Sequence, residues 1–166
     1  MTDPNRERLH AEMDEPFVVF LVGMRINSFW RVWEWLPVLL AMPRMLRELA
    51  DDDAMLGSRT KPGLRNWMVV QYWRSFEELT EYARDDEAEH LPAWSEYNEK
   101  RAASGAVGIW HETYVVGPGD YETVYNNVPP QGLGEAAPLV PATGRRESAA
   151  GRLTEDADDS ERDDEP

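Results

Sequence analysis

The run Trp67-Met68-Val69-Val70-Gln71-Tyr72-Trp73-Arg74-Ser75-Phe76-Glu77-Glu78-Leu79 constrains this chain more than any other. Aromatic and β-branched residues dominate from Trp67 to Arg74, which reads as a strand. Ser75-Phe76-Glu77-Glu78 follows at once as a capping box. The serine side chain can accept the amide of Glu78, and the glutamate can reach back to the serine amide. The period then becomes helical, with Phe76, Leu79, Tyr82 and Ala83 on one face. A strand that turns straight into a capped helix fixes the local fold.

The flanking segments extend the pattern. Phe17 to Ile26 is almost wholly apolar or β-branched and reads as a central strand buried on both faces. Asn27-Ser28 breaks it, with Ser28 as a candidate N-cap. From Phe29 to Ala50, Leu36, Leu39, Leu40, Leu46 and Leu49 recur at helical spacing. Pro37 and Pro43 each remove a backbone donor, so a short helix followed by a kinked or restarted one is expected. Asp51-Asp52-Asp53 ends it. A short strand over Ala54 to Arg59 and a turn at Lys61-Pro62-Gly63 follow. Beyond the capped helix, Asp85-Asp86 marks a break. A further helical piece starts near Glu87 or Pro92, runs to Ala103 and stops at Gly105. Val107 to Val116 reads as a strand, Gly117-Pro118-Gly119-Asp120 as a turn, and Tyr121 to Asn126 as an edge strand.

The order βαββαβ is the ferredoxin-like arrangement of an α+β protein, here with an extra C-terminal strand and arm. The expected organisation is a flexible N-terminal arm over residues 1–15, a ferredoxin-like domain over 16–128, an ordered arm over 129–145 and a disordered acidic tail over 146–166. Helices would cover one sheet face. The strands beginning at Phe17 and Val107 carry apolar or aromatic residues on both alternation sets, so the other face also needs a cover. A second copy is the simplest one, which predicts a homodimer.

The net charge of −15 narrows the partners. Thr154 to Pro166 hold eight acids against one arginine, a net of −7, which leaves −8 on the rest. An acidic body is a poor match for phosphate backbones, so no nucleic acid partner is expected. Lys61 and Lys100 are the only lysines among 17 basic residues, a bias that fits a salt-adapted surface. The absence of cysteine excludes disulfides and thiolate metal sites and fits a cytoplasmic location. The N-terminus is unlike a signal peptide. The apolar run Phe17 to Met24 is far short of the roughly 20 residues of a membrane span. Extending it to Met42 would enclose Arg25, Asn27, Arg31 and Glu34. No integral span is expected, and a membrane-surface helix stays open.

Chemistry has few carriers. His90 precedes Leu91-Pro92-Ala93-Trp94, where the proline fixes the backbone and gives the imidazole a defined direction. It is a candidate general base or haem ligand; otherwise it caps the helix of Pro92 or lies at the surface. His111 shares a strand face with Ile109 and Thr113, while Trp110, Glu112 and Tyr114 share the other. His111 is a second candidate base, and Glu112 a third if desolvation raises its pKa. Either also suits a dimer interface. Arg25 and Asn27 end the first strand on the face of Leu21 and Gly23, where they can stabilise an enolate or pair with acids. Gln71 and Tyr72 lie on opposite faces of their strand as candidate substrate contacts. Seven tryptophans, Trp94 and Trp110 among them, suit either a planar aromatic ligand or ordinary packing. No phosphate loop, nucleophile elbow or His-Glu-x-x-His is present, and the spacing of His10, His90 and His111 defines no metal site.

Six segments together resemble a known family: Phe17-Val18-Val19-Phe20-Leu21-Val22-Gly23-Met24-Arg25-Ile26-Asn27, Trp35-Leu36-Pro37, Met42-Pro43-Arg44-Met45, Gln71-Tyr72-Trp73-Arg74-Ser75, His90-Leu91-Pro92-Ala93-Trp94 and Gly108-Ile109-Trp110-His111-Glu112-Thr113-Tyr114. The family comprises bacterial, archaeal and fungal proteins named for a fumagillin-pathway monooxygenase-like protein. The resemblance spans residues 15–145. It implies a place among the dimeric α+β barrels. That superfamily includes antibiotic-biosynthesis monooxygenases that oxidise enolisable polycyclic substrates with oxygen and no cofactor. It also includes haem-dependent branches and non-catalytic binders, among which fold does not decide. The expectation is therefore a monooxygenase-like protein without cofactor, acting on a small hydrophobic, enolisable or aromatic molecule. His90 or His111 would be the base, and Arg25 with Asn27 would stabilise the anion. The alternatives are a dimeric barrel that binds a small ligand without chemistry, and a haem-binding barrel with His90 or His111 as axial ligand.

Overall fold

The computed structural model describes residues 4–86, 88 and 90–153. The chain divides into two compact units, Val18–Tyr114 and the combination of Met1–Phe17 with Val115–Pro166.

The first unit is built on a four-stranded sheet. Its strands are β2 (Phe17–Ile26), β3 (Met55–Lys61), β4 (Asn66–Trp73) and β5 (Val107–Val116), in the order β3-β4-β2-β5. Helices α1 (Val32–Glu48), α2 (Phe76–Arg84) and α3 (His90–Lys100) complete it. Numbered within this unit alone, the strand order is 2-3-1-4, the ferredoxin-like topology expected from the βαββαβ sequence. The second crossover is split into α2 and α3 around Asp85-Asp86.

Register decides which residues face the helices. β2 and β4 pair antiparallel with Val18 opposite Trp73, Phe20 opposite Gln71, Val22 opposite Val69 and Met24 opposite Trp67. Side chains opposite one another share a face, and this set meets the helices. Val18 and Trp73 pack with Leu49 and Leu79. Met24 and Ile26 pack with Val107, with Trp35, Val38 and Tyr97 against them. The alternate set, Val19 with Tyr72, Leu21 with Val70, Gly23 with Met68 and Arg25 with Asn66, lies on the opposite face.

Local rules account for most boundaries. Ser75 caps α2, its Oγ accepting the Glu78 amide at 3.1 Å. The glutamate does not complete the reciprocal half; its carboxylate lies 3.9 Å from Arg74. After α3 a 3-10 turn, Ala102–Ser104, ends at Gly105, whose φ of 62° is the left-handed geometry that glycine adopts freely. At α1 the structure departs from expectation. The helix runs as one 17-residue element through Pro37 and Pro43, and it begins after Arg31, with no side-chain cap, rather than at Ser28. Each internal proline costs about 3 kcal/mol. Burial of Trp35, Val38 and Leu39, at about 1.5–3 kcal/mol each when complete, is of the size needed to offset it.

The second unit departs further. β1 (Leu9–Ala11) pairs antiparallel with β6 (Leu139–Pro141). α4 (Leu133–Ala136), a 3-10 turn at Gly144–Glu147 and α5 (Ala149–Leu153) complete it. The expected flexible arm therefore contains a strand, and His10 and Ala11 are fully buried. The arm carries too little apolar residue to signal this alone; its pairing partner lies about 130 residues away in sequence. Tyr121 to Asn126 forms no strand and makes one isolated bridge, Leu9 to Tyr125. Side chains replace the ladder there: Thr123 Oγ1 accepts the Ala11 amide at 2.8 Å and Tyr121 Oη the Met13 amide at 2.6 Å. The expected extra strand at Tyr121 to Asn126 is thus absent, and β6 lies instead in the segment expected as an arm. Residues 146–153 of the expected disordered tail are instead ordered, and Arg152 holds α5 in place. This buried guanidinium donates to Glu122 at 2.6 and 2.9 Å and to the carbonyls of Arg146 and Glu147. Residues 154–166 of that expected tail lie outside the described residues.

Candidate active site

A cavity of about 520 Å³ lies within the first unit, between the sheet and its helices. Phe20, Val22 and Met24 of β2 form its floor with Val69 of β4. Val38, Leu39 and Met42 of α1 and Leu79 and Ala83 of α2 form its walls. Its volume suits a small organic ligand, and its lining is predominantly apolar, as such sites usually are.

Two imidazoles enter this apolar space. His111 projects from β5 beside Ile109 and Thr113, which share its face and also line the cavity. Its ring lies 5.7 Å from that of Phe20. His90 is the first residue of α3 and also lines the cavity, its ring 6.0 Å from that of Tyr82. Burial holds the His90 pKa below the usual histidine range; a hydrogen bond to the Ala83 carbonyl acts in the opposite direction, and His111 adds to the lowering. Nδ1 of His90 is buried with no hydrogen-bond partner among the described residues. Burial therefore favours the neutral, basic form of the ring near neutral pH. Trp94 follows one helical turn later, also lines the cavity, and stacks on Tyr97 at 5.9 Å.

Of the residues singled out in the sequence, His90, His111 and Trp94 thus meet at one cavity. The others do not. Arg25 and Asn27 lie outside the lining and latch the strand end: Arg25 donates to Asn27 at 3.1 Å and to Asn66 at 3.2 Å, and Asn27 to the Gly105 carbonyl at 3.0 Å. Gln71 is on the helix-facing set but is occupied as acceptor for the Trp73 indole N–H at 2.9 Å. Tyr72, Trp110 and Glu112 belong to the opposite face. Trp110 lies over Gly23, and Glu112 accepts from the Tyr114 hydroxyl at 2.7 Å, which raises the tyrosine pKa.

The cavity also includes polar residues that the sequence reading passed over: Thr60, Thr80, Arg84, Thr113 and the Glu96–Arg101 ion pair at 2.8 Å. Thr113 carried a signal, since it alternates in phase with His111. The pair Glu96 and Arg101 carried none, because a five-residue spacing is not a helical contact and arises only where α3 gives way to the 3-10 turn.

These features define a ferredoxin-like α+β protein with a helix-covered apolar cavity containing two histidines. The family model described as Monooxygenase af470-like matches residues 17–133, and the chain belongs to that family. It is 33% identical over 135 residues to Monooxygenase af470 of Aspergillus fumigatus, covering 70% of this chain and 45% of the fungal protein. The chain thus spans less than half the length of that relative. Among solved structures it is similar to SnoaB, a cofactor-independent oxygenase from Streptomyces nogalater, with 9% identity, a TM-score of 0.42 and coverage of 59% of this chain and 90% of that one. It is also similar to a dimeric protein of unknown function and ferredoxin-like fold from Bacteroides fragilis, with 17% identity, a TM-score of 0.42 and coverage of 60% and 95%. Among the described residues no helix is long and apolar enough to cross a membrane.

Proposed function

We propose that this protein is a monooxygenase that oxidises a small, hydrophobic, enolisable or phenolic molecule held between sheet and helices, with no cofactor. The observation that carries this reading is the meeting of two imidazoles at one apolar cavity, His111 and a His90 whose charged form burial disfavours. A ring with a depressed pKa is unprotonated near neutral pH and so available as a base. It takes a proton from the substrate. The carbanion reduces dioxygen by one electron, and the radical pair combines into a peroxide anion on carbon. The imidazolium returns its proton to that anion. Loss of water then converts a CH2 group to a carbonyl, with one oxygen atom in the product and one in water. His111, on the adjacent strand, orients the oxygen function of the substrate or serves as the base itself. Arg25 and Asn27 have no part in this reading, since neither lines the cavity.

The protein works as a homodimer in this proposal. The sheet face carrying Val19, Leu21, Val70, Tyr72 and Trp110 is apolar, and a second copy covers it. Sedimentation equilibrium showing only monomer would count against the pairing.

The chemistry is tested by oxygen uptake over a panel of enolisable tricyclic ketones and phenols. Once a turned-over compound is found, His90→Gln should lower kcat by about 10²–10⁴. Unchanged oxidation by both His90→Gln and His111→Gln would remove the proposed base. Ligand binding without oxygen uptake across the panel would favour a non-catalytic binder.

A further inference from the structure

Trp30, Leu64 and Trp33 are 90%, 84% and 67% exposed, among the most exposed large apolar side chains of the described residues. They are not scattered. Trp30 lies in the connection from β2 to α1, and Trp33 in the first turn of α1. Leu64 lies at the tip of the β3–β4 hairpin. The two segments are tied together by Arg65. Its guanidinium sits 4.6 Å over the Phe29 ring and donates to the carbonyls of Ile26 and Asn27 at 3.1 and 3.4 Å. Leu36 and Leu40, also exposed, continue the surface from Trp33 at three- and seven-residue spacing along α1.

The charge around this surface reverses that of the chain. Residues 16–33 contain Arg25 and Arg31 and no acid, and residues 54–73 contain Arg59, Lys61 and Arg65 and no acid, in a chain of net charge −15. The nearest acid on α1, Glu34, is buried and engaged by Arg31 at 3.1 Å. Exposed tryptophan and leucine rimmed by Arg and Lys is the composition that settles at a lipid headgroup boundary. There the ring enters the acyl margin and the cations meet phosphate.

We propose that the β2–α1 connection, the first turns of α1 and the tip of the β3–β4 hairpin seat this protein on the surface of an anionic lipid bilayer. Trp30, Trp33 and Leu64 enter the boundary region, and Arg25 and Lys61 contact headgroup phosphates. The acidic far end of α1, at Glu48 and Asp52-Asp53, faces away from the bilayer. Val38 and Leu39 of the same helix line the cavity, so the element that meets the lipid also walls the ligand site.

The test uses the full chain with vesicles of phosphatidylglycerol mixed with phosphatidylcholine and with vesicles of phosphatidylcholine alone, at low ionic strength. Binding is read by co-sedimentation and by a blue shift of tryptophan emission. The protein should prefer the phosphatidylglycerol vesicles. W30S/W33S/L64S should weaken the partition coefficient by about tenfold or more, with circular dichroism unchanged. R25Q/K61Q should keep the apolar contact but lose the preference for phosphatidylglycerol. No vesicle binding by the parent, or equal binding by the triple variant, overturns the proposal. So does a parent dimer that the triple substitution converts to monomer without lipid, because the patch then belongs to a second copy.

Discussion

Gly23→Ala probes the sheet face away from the cavity. A Cβ built at Gly23 would lie 2.5–2.6 Å from Cε2, Cζ2 and Nε1 of Trp110. Carbon atoms in good contact stand about 3.5–4.0 Å apart, so the indole has to retreat by about 1 Å. Two effects oppose one another. Replacing glycine inside a strand ordinarily gains about 0.5–1 kcal/mol, whereas forcing a methyl group into a filled site costs about 1–3 kcal/mol. Trp110 is 38% exposed and can swing partly clear, which places the cost in the lower part of that range. The expected result is a net destabilisation of at most about 1.5 kcal/mol. With Trp110→Ala in the background the clash is gone, and the same Gly23→Ala change should become neutral or stabilising. Urea denaturation of the four proteins of the cycle, followed by far-ultraviolet circular dichroism, measures the difference. Protein concentration is held fixed, because any dimer would make stability concentration-dependent. A cost that is the same with and without Trp110 would show that the indole does not rest on Gly23 and would refute the assigned faces of β2 and β5.

Two further outcomes follow from the helix-facing side. His90 should titrate below the ordinary histidine value near 6.5 in an NMR pH series. Because the folded state disfavours the charged ring, the unfolded chain binds more protons below that pH. The stability contribution is therefore full above it and lost as pH falls toward the folded pKa, and His90→Gln should remove that part of the acid-side slope. Ser75→Ala removes the acceptor of the Glu78 amide and should cost about 1 kcal/mol in urea denaturation, with Ser75→Gly costing only a few tenths.

The elements of the first unit were legible because each rests on a short-range rule. Ser75 capped α2 by sequence and by geometry. Phe17 to Ile26 and Val107 to Val116 matched their strands end to end. The second unit was less legible for a stated reason. β1 and β6 are three residues each and pair across most of the chain, so neither carries a local signal. The alternation at Tyr121 to Asn126 was genuine, but its side chains bond to the N-terminal backbone and no ladder forms. At the site, alternation sorted residues correctly into two sets without saying which set the helices cover. Both sets of β2 are apolar, so Arg25 stood as a site candidate until register placed it on the face opposite the cavity, which Phe20 lines.

His90 shows what separates a site residue from a packed one in this fold. A buried acceptor left without a partner costs about 1–3 kcal/mol, and native proteins keep few of them. Gln71 is the contrast within the same unit: it is more deeply buried, its side-chain oxygen accepts from the Trp73 indole, and it does not line the cavity. At position 90 an apolar side chain of similar size would fill the same space beside Tyr82 without the orphaned lone pair. The imidazole instead borders a cavity it shares with His111, and burial disfavours its charged form. A turn of the ring that brings Nδ1 to the cavity would let a proton-bearing group on a bound ligand supply the missing partner, so the unsatisfied atom and the apolar cavity have one explanation rather than two. On that argument the substrate's acidic C–H or O–H lies within hydrogen-bond reach of Nδ1. His90→Gln should then weaken binding less than it slows turnover, because the amide can still accept a hydrogen bond but cannot take the proton.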